Sequence, residues 1–280
     1  MVLSQGVALV ATWLLFESLS LIQAITVVWA VGFSHYLLGF LYSWRSTQSV
    51  LHARSGKVAL GLLLVAGLAL YWGDLSLVLY FGLHHALNEA YISGRFESDT
   101  EHGRTNIRGT SFCVHLLGFY LLTHDGQLKQ EPAVYTVLIM VFIVLSGKFY
   151  LDGVRSRSGG IGSEMVVAML IPLDFWLYDI HLYHFVLYHF VFWMVYPASR
   201  LWRMGGIGLS RYIAMTVISI AVFVALIPPG IRSVYGVGAG ATYYEAFVFL
   251  SFLHITLSFA TSRANPAWIQ RVFKGEVNGR

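Results

Sequence analysis

The sequence predicts an all-α, polytopic integral membrane bundle, and three observations predict it. Hydrophobic residues make up 57% of the chain and charged residues 11%, against roughly 25% charge in soluble domains. Apolar runs of about 20 residues, the length that crosses a hydrocarbon core, recur from end to end. Basic residues collect in the short stretches between those runs. A bilayer offers no water to backbone N–H and C=O groups, so each run must satisfy its own backbone as a helix.

The elements follow in order. A shorter apolar segment at 3–16 closes on Glu17 and Ser18 and suits a half-span or an interfacial helix. Longer runs lie at 20–44, 57–73, 75–92, 109–123, 132–151, 164–196, 210–228 and 240–261. The 164–196 run is too long for one pass, since a single helix would reach about 50 Å against a core of about 30 Å. Pro172, followed by Leu173 and Asp174, interrupts the helical ladder and marks a turn inside it. The expectation is one transmembrane helical domain over 1–280 with about eight or nine membrane segments.

Charge sets the orientation. Arg45, Arg54 and Lys57 form one basic group, then Arg95, Arg104 and Arg108, then Arg155 and Arg157, then Arg200, Arg203 and Arg211. Arg263, Arg271, Lys274 and Arg280 close the chain. The positive-inside rule places all of these on the cytoplasmic face if 164–196 crosses twice. The C-terminus is then cytoplasmic. The net charge of +4 belongs to the membrane faces and does not point to nucleic acid. The N-terminus lacks a basic n-region, so no cleavable signal peptide is expected. Cys113 stands alone, which excludes an internal disulfide, and it is read as a small core hydrophobe.

Histidines sit where they are expensive. His35, His85, His115, His184, His189 and His254 all fall within apolar runs. An ionisable side chain at membrane depth costs about 2–3 kcal/mol or more and normally has a partner and a task. Measured from the basic end of each run, His35, His85, His115, His189 and His254 lie about 10–15 Å deep at 1.5 Å per residue. Five imidazoles in one layer point to a metal, because neutral imidazole suits iron, copper and zinc. An interhelical hydrogen bond accounts for any one of them alone. His84 points away from His85 and is assigned a supporting role, and His181 is a weaker ligand candidate. His52, His102 and His124 are placed in loops. Asn88 and Glu89 share the face of His85, and Ser34 precedes His35, so each is a candidate to orient an imidazole.

The chain carries 19 Phe, 16 Tyr and 8 Trp. Most of these suit packing and interfacial belts. Phe175, Trp176, Tyr178, Tyr183, Tyr188 and Trp193 lie together on the long run and are candidates to line a path for a long apolar substrate.

These segments resemble the Brp/Blh family of bacterial and archaeal membrane carotene dioxygenases, which split β-carotene centrally into retinal. The family's Gly-x-Pro-His-Gly-x-x-Asp motif is matched by Gly32-Phe33-Ser34-His35-Tyr36-Leu37-Leu38-Gly39. His85-Ala86-Leu87-Asn88-Glu89-Ala90 resembles a second motif. Glu164, Pro172, His184 and His189 follow the order of a third, and Phe252-Leu253-His254-Ile255 with Arg263 resembles a fourth. The four occur in family order across nearly the whole chain. Ser34 replaces the proline, Gly39 replaces the aspartate, and the late histidines are five apart where the family has four.

The resemblance implies a non-haem Fe2+ site held by His35, His85, His184 and His189, with His254 and His115 next in rank. It implies O2 as co-substrate, an apolar isoprenoid as substrate, and the bacterial inner membrane as the location. No catalytic residue beyond the metal ligands is needed. The alternatives are a haem- or pigment-binding subunit of a larger membrane complex, and a His-ligated oxygenase or desaturase acting on another lipid.

Overall fold

The computed structural model describes residues 2–71, 76–96, 101–156, 182–204, 207–226, 239–262 and 267–274. Ten α-helices are found there and no strand occurs among the described residues. They are α1 (Val2–Ser18), α2 (Leu21–His52), α3 (Arg54–Tyr71), α4 (Ser76–Phe96), α5 (Glu101–Leu128), α6 (Pro132–Ser156), α7 (Leu182–Met204), α8 (Ile207–Leu226), α9 (Ala239–Thr261) and α10 (Ala267–Lys274). Among the described residues, three helical stretches are long and apolar enough to cross a membrane: Thr26–His52, Pro132–Asp152 and Gly208–Leu226. Gly6–Ser18 and Glu245–Thr261 are shorter apolar helices. The protein is an all-helical membrane protein.

Local chemistry sets several helix ends. Ser20 caps α2 in a reciprocal box with Gln23: the Ser20 hydroxyl accepts from the Gln23 amide, and Gln23 Oε1 accepts from the Ser20 amide at 2.9 Å. Pro132 opens α6 at the first helical position, where a missing N–H costs nothing. α2 and α5 run beyond the apolar stretches read from the sequence, because a helical ladder continues through polar residues once nucleated. His52 therefore ends α2, and His102 and His124 lie on α5 rather than in loops. α7 continues through Pro197, beyond the end of the 164–196 run.

The helices pack as two compact units. The first holds α1–α3 and α7–α10. Its apolar centre includes Trp29, Phe33, Tyr36, Leu187, Phe190 and Tyr212. Gly32 faces Phe247 and Gly39 faces His254, while Tyr36 bonds Ser251, so α2 and α9 run parallel. Phe33 stacks on Phe223 and Tyr42 meets Tyr212, so α8 runs antiparallel to α2. Phe190 lies beside His35 and Tyr36, and the Tyr212 hydroxyl donates to the Met194 carbonyl at 2.8 Å. α7 therefore ascends with α2. The second unit holds α4–α6. Phe81 meets Phe119 and His85 meets His115, an antiparallel α4–α5 pair. α6 packs on α5 through Phe149 against Ile107 and Val114. Its other side exposes Val137, Met140 and Val144, apolar side chains suited to lipid. Cys113 is exposed on α5 and is not a core residue.

Candidate metal centre

Glycine makes the first unit's histidine cluster possible. A Cβ on Gly32 would stand 2.6 Å from the Phe247 ring and 2.7 Å from the Phe190 ring. A Cβ on Gly39 would stand 2.9 Å from Cε1 of His254. Gly32 and Gly39 are two turns apart, so they share one face of α2 with His35 and Tyr36 between them. Small residues let neighbouring helices approach closely in a membrane. Close approach is needed here because imidazole is a short side chain.

Three imidazoles meet on that face. His35 Nε2 lies 3.1 Å from His254 Nε2. The His35 and His254 ring centroids are 4.6 Å apart, and those of His35 and His189 are 5.7 Å apart. His35 and His189 are buried and His254 is half-buried. The Tyr36 hydroxyl donates to Ser251 Oγ at 2.6 Å, and the Ser251 proton goes to the Phe247 carbonyl at 2.7 Å. That bond pins the register of α2 on α9 one turn from the histidines. Sequence reasoning missed this Tyr36–Ser251 pair, although Tyr36 and Ser251 flank His35 and His254 in the chain. Phe190 packs 5.2 Å from His35 and Trp193 lies 6.4 Å from His189, which gives the cluster an apolar wall.

The second unit carries its own pair. His85 and His115 are buried with ring centroids 5.6 Å apart. His115 Nδ1 donates to the Ser111 carbonyl at 2.8 Å, so the neutral ring carries its lone pair on Nε2. That Nε2 is buried and meets no hydrogen-bond partner among the described residues. An imidazole whose second nitrogen is fixed by a carbonyl is the form in which histidine binds metals. Gly82, one turn before His85, receives the Phe119 ring where a Cβ would stand 2.5 Å away. It plays for His85 the part Gly32 plays for His35. Glu89 is buried on the same helix, four residues after His85.

Two supporting assignments need correction. Asn88 Nδ2 donates to His84 Nε2 at 3.0 Å, so Asn88 orients His84 and not His85, because residues four apart stack more directly than three. The Ser34 hydroxyl donates to the Ala30 carbonyl at 2.8 Å, a bond back to its own helix that leaves His35 to other partners. His184 lies on α7, whose ladder is regular from 182 to 189. Positions 184 and 189 therefore stand about 140° apart around the axis. The side chains of Tyr183 and His184, and residues Glu164, Pro172, Asp174, Phe175, Trp176, Tyr178, Asp179 and His181, lie outside the described residues. Of the substrate-path candidates, Tyr188 is buried and stacks on Phe192, and Trp193 flanks His189.

Among the described residues, no three His, Cys, Asp or Glu side chains form a ready metal cage. His35 Nε2 and His254 Nε2 share a hydrogen bond at 3.1 Å, a spacing that two ligands of one metal ion would also show once that proton is lost. Two nitrogens each about 2.1 Å from one ion stand about 3.0 Å apart at a right angle and about 3.4 Å apart in a tetrahedron. The observed 3.1 Å lies within that interval. Nitrogens on opposite sides of an ion would stand about 4.2 Å apart, which is the spacing of paired axial haem ligands. No protein-family model matches the chain, and no curated protein or solved structure is found similar to it.

Proposed function

We propose that this chain is a non-haem Fe2+ dioxygenase of the bacterial inner membrane that cleaves a carotenoid-like isoprenoid to an aldehyde. The observation that carries the reading is the gathering of His35, His189 and His254 from three helices into one apolar layer. His35, His189 and His254 would hold the iron. His184, on the helix of His189, is a further ligand candidate, and the expected ligands His85 and His115 lie in the second unit. Bound iron supplies the redox chemistry that dioxygen requires. The chain's own part is to hold the imidazoles, to fix their helices through Tyr36 and Ser251, and to keep water from the layer with Phe190 and Trp193. The reading includes eight or nine crossings and a cytoplasmic C-terminus.

Co-expression in a β-carotene-producing host, with retinal measured by chromatography, tests the activity. Loss of carotene and appearance of retinal are expected, and both should vanish with His35→Ala. Unchanged carotene from iron-loaded protein would overturn carotene cleavage and leave another lipid as substrate. A Soret band in the purified protein would replace the iron reading with a haem subunit.

A further inference from the structure

The first unit is charged asymmetrically. α2, α7 and α9 finish at one end, where α3 and α8 begin. Arg45, Arg54, Lys57, Arg200, Arg211 and Arg271 are all exposed there. The described carboxylates of this unit sit at the other end: Glu17 closes α1 just before α2 starts, and Glu245 lies near the start of α9. The basic end thus has no described counter-charge within its own unit.

α10 lies at that end and has two unlike faces. Phe273 and Ile269 turn inward against Val50, Ala59, Leu60, Leu63 and Ala260. The Phe273 carbonyl rests on Gly56, a contact that any Cβ would block. Trp268, Arg271 and Val272 form the outer face, and Trp268 is 66% exposed. Trp202 at the end of α7 is 74% exposed at the same end. Tryptophan settles at the headgroup level, and arginine and lysine there attract anionic lipid. A helix docked on the protein by its apolar face, with tryptophan and arginine facing outward, presents an interfacial anchor beside a cation.

We propose that this end of the first unit is a binding surface for anionic phospholipid headgroups, with α10 as its docking element. Arg54, Lys57 and Arg271 contact the phosphates, and Trp268 enters the interface beside them. The surface tethers the ends of α2 and α9, the helices that carry His35 and His254.

The test uses the full chain in mild detergent, titrated with phosphatidylglycerol and separately with phosphatidylcholine, with bound lipid counted by native mass spectrometry. Phosphatidylglycerol is expected to bind more tightly, and more weakly as salt rises. The triple variant Arg54→Gln, Lys57→Gln, Arg271→Gln should lose about fivefold in affinity per charge removed, roughly a hundredfold together. Lys148→Gln, which removes a lysine paired with Asp152 in the other unit, should change nothing. Equal binding of the two lipids, or a triple variant that binds like the wild type, would overturn the proposal. So would competition by millimolar inorganic phosphate, which would mean a free-anion site. If the triple variant does not fold, salt decides with wild-type protein: phosphatidylglycerol affinity unchanged by 0.5 M salt, itself about three times the physiological ionic strength, would also overturn it.

Discussion

Gly39 and His254 lie so close that a side chain at position 39 would force the imidazole to shift. A methyl group on Gly39 would stand 2.9 Å from Cε1 and 3.2 Å from Nδ1 of that imidazole. Gly39→Ala should therefore push His254 off His35 and cost about 1–3 kcal/mol, as overpacking does. Gly61 has open space around its Cα, so Gly61→Ala should be neutral or slightly stabilising. Thermal unfolding in detergent, with iron content measured on the same samples, checks the pair. Retained iron and an unchanged melting temperature in Gly39→Ala would sink the assignment of His254.

Alanine at His35, His189 or His254 should each lower bound iron by more than the 10–100-fold in affinity that loss of an outer-shell partner costs. His52 and His124 donate to the carbonyls of Gln48 and Tyr120 on their own helices, at 2.6 Å and 3.2 Å, so His52→Ala and His124→Ala should leave iron unchanged. Elemental analysis of purified protein decides this. Equal loss across all five variants would point to a folding effect.

Tyr36→Phe removes the hydroxyl that reaches Ser251. Ser251 keeps its bond to the Phe247 carbonyl, so no buried donor is left over. The expected cost is about 0.6 kcal/mol, the average for interhelical hydrogen bonds in a membrane bundle. Ser251→Ala should cost a similar amount, and the double variant less than their sum. Additive losses would mean that the two groups do not act on each other.

α2 and α7 ascend together, so their far ends share a side. Cysteines introduced at Arg54 and Arg203 should label from the same face, in a Cys113→Ser background because Cys113 is itself exposed. Labelling from opposite faces would contradict the parallel packing of Phe190 on His35 and Tyr36.

Much of the fold was legible because run length and polarity are local quantities. The crossing-length stretches within α2, α6 and α8 follow directly from them. Helix ends were less legible. Ser20 and Gln23 spell a capping box, but α2 runs on to His52 because a hydrogen-bond ladder does not stop where polarity begins. Pro197 removes one bond from the ladder of α7 and does not end that helix. At the site, the histidines that fall within apolar runs could be read from the chain. Their pairing could not, since it depends on register between distant helices. Only packing shows that Gly39 opens the place His254 fills, or that Asn88 serves His84 and not His85.

The parallel course of α2 and α7 imposes a parity on the chain between them. Two segments that point the same way and both cross a bilayer can be joined only by a stretch that recrosses it an odd number of times. Between α7 and α9, α8 runs back against both. In a chain that crosses at both α2 and α7, gaining or losing one crossing between them would invert α7 and carry His189 away from His35. The cluster is thus sensitive to the count of passes and insensitive to their lengths, so loops between those helices can grow or shrink while the three imidazoles stay level.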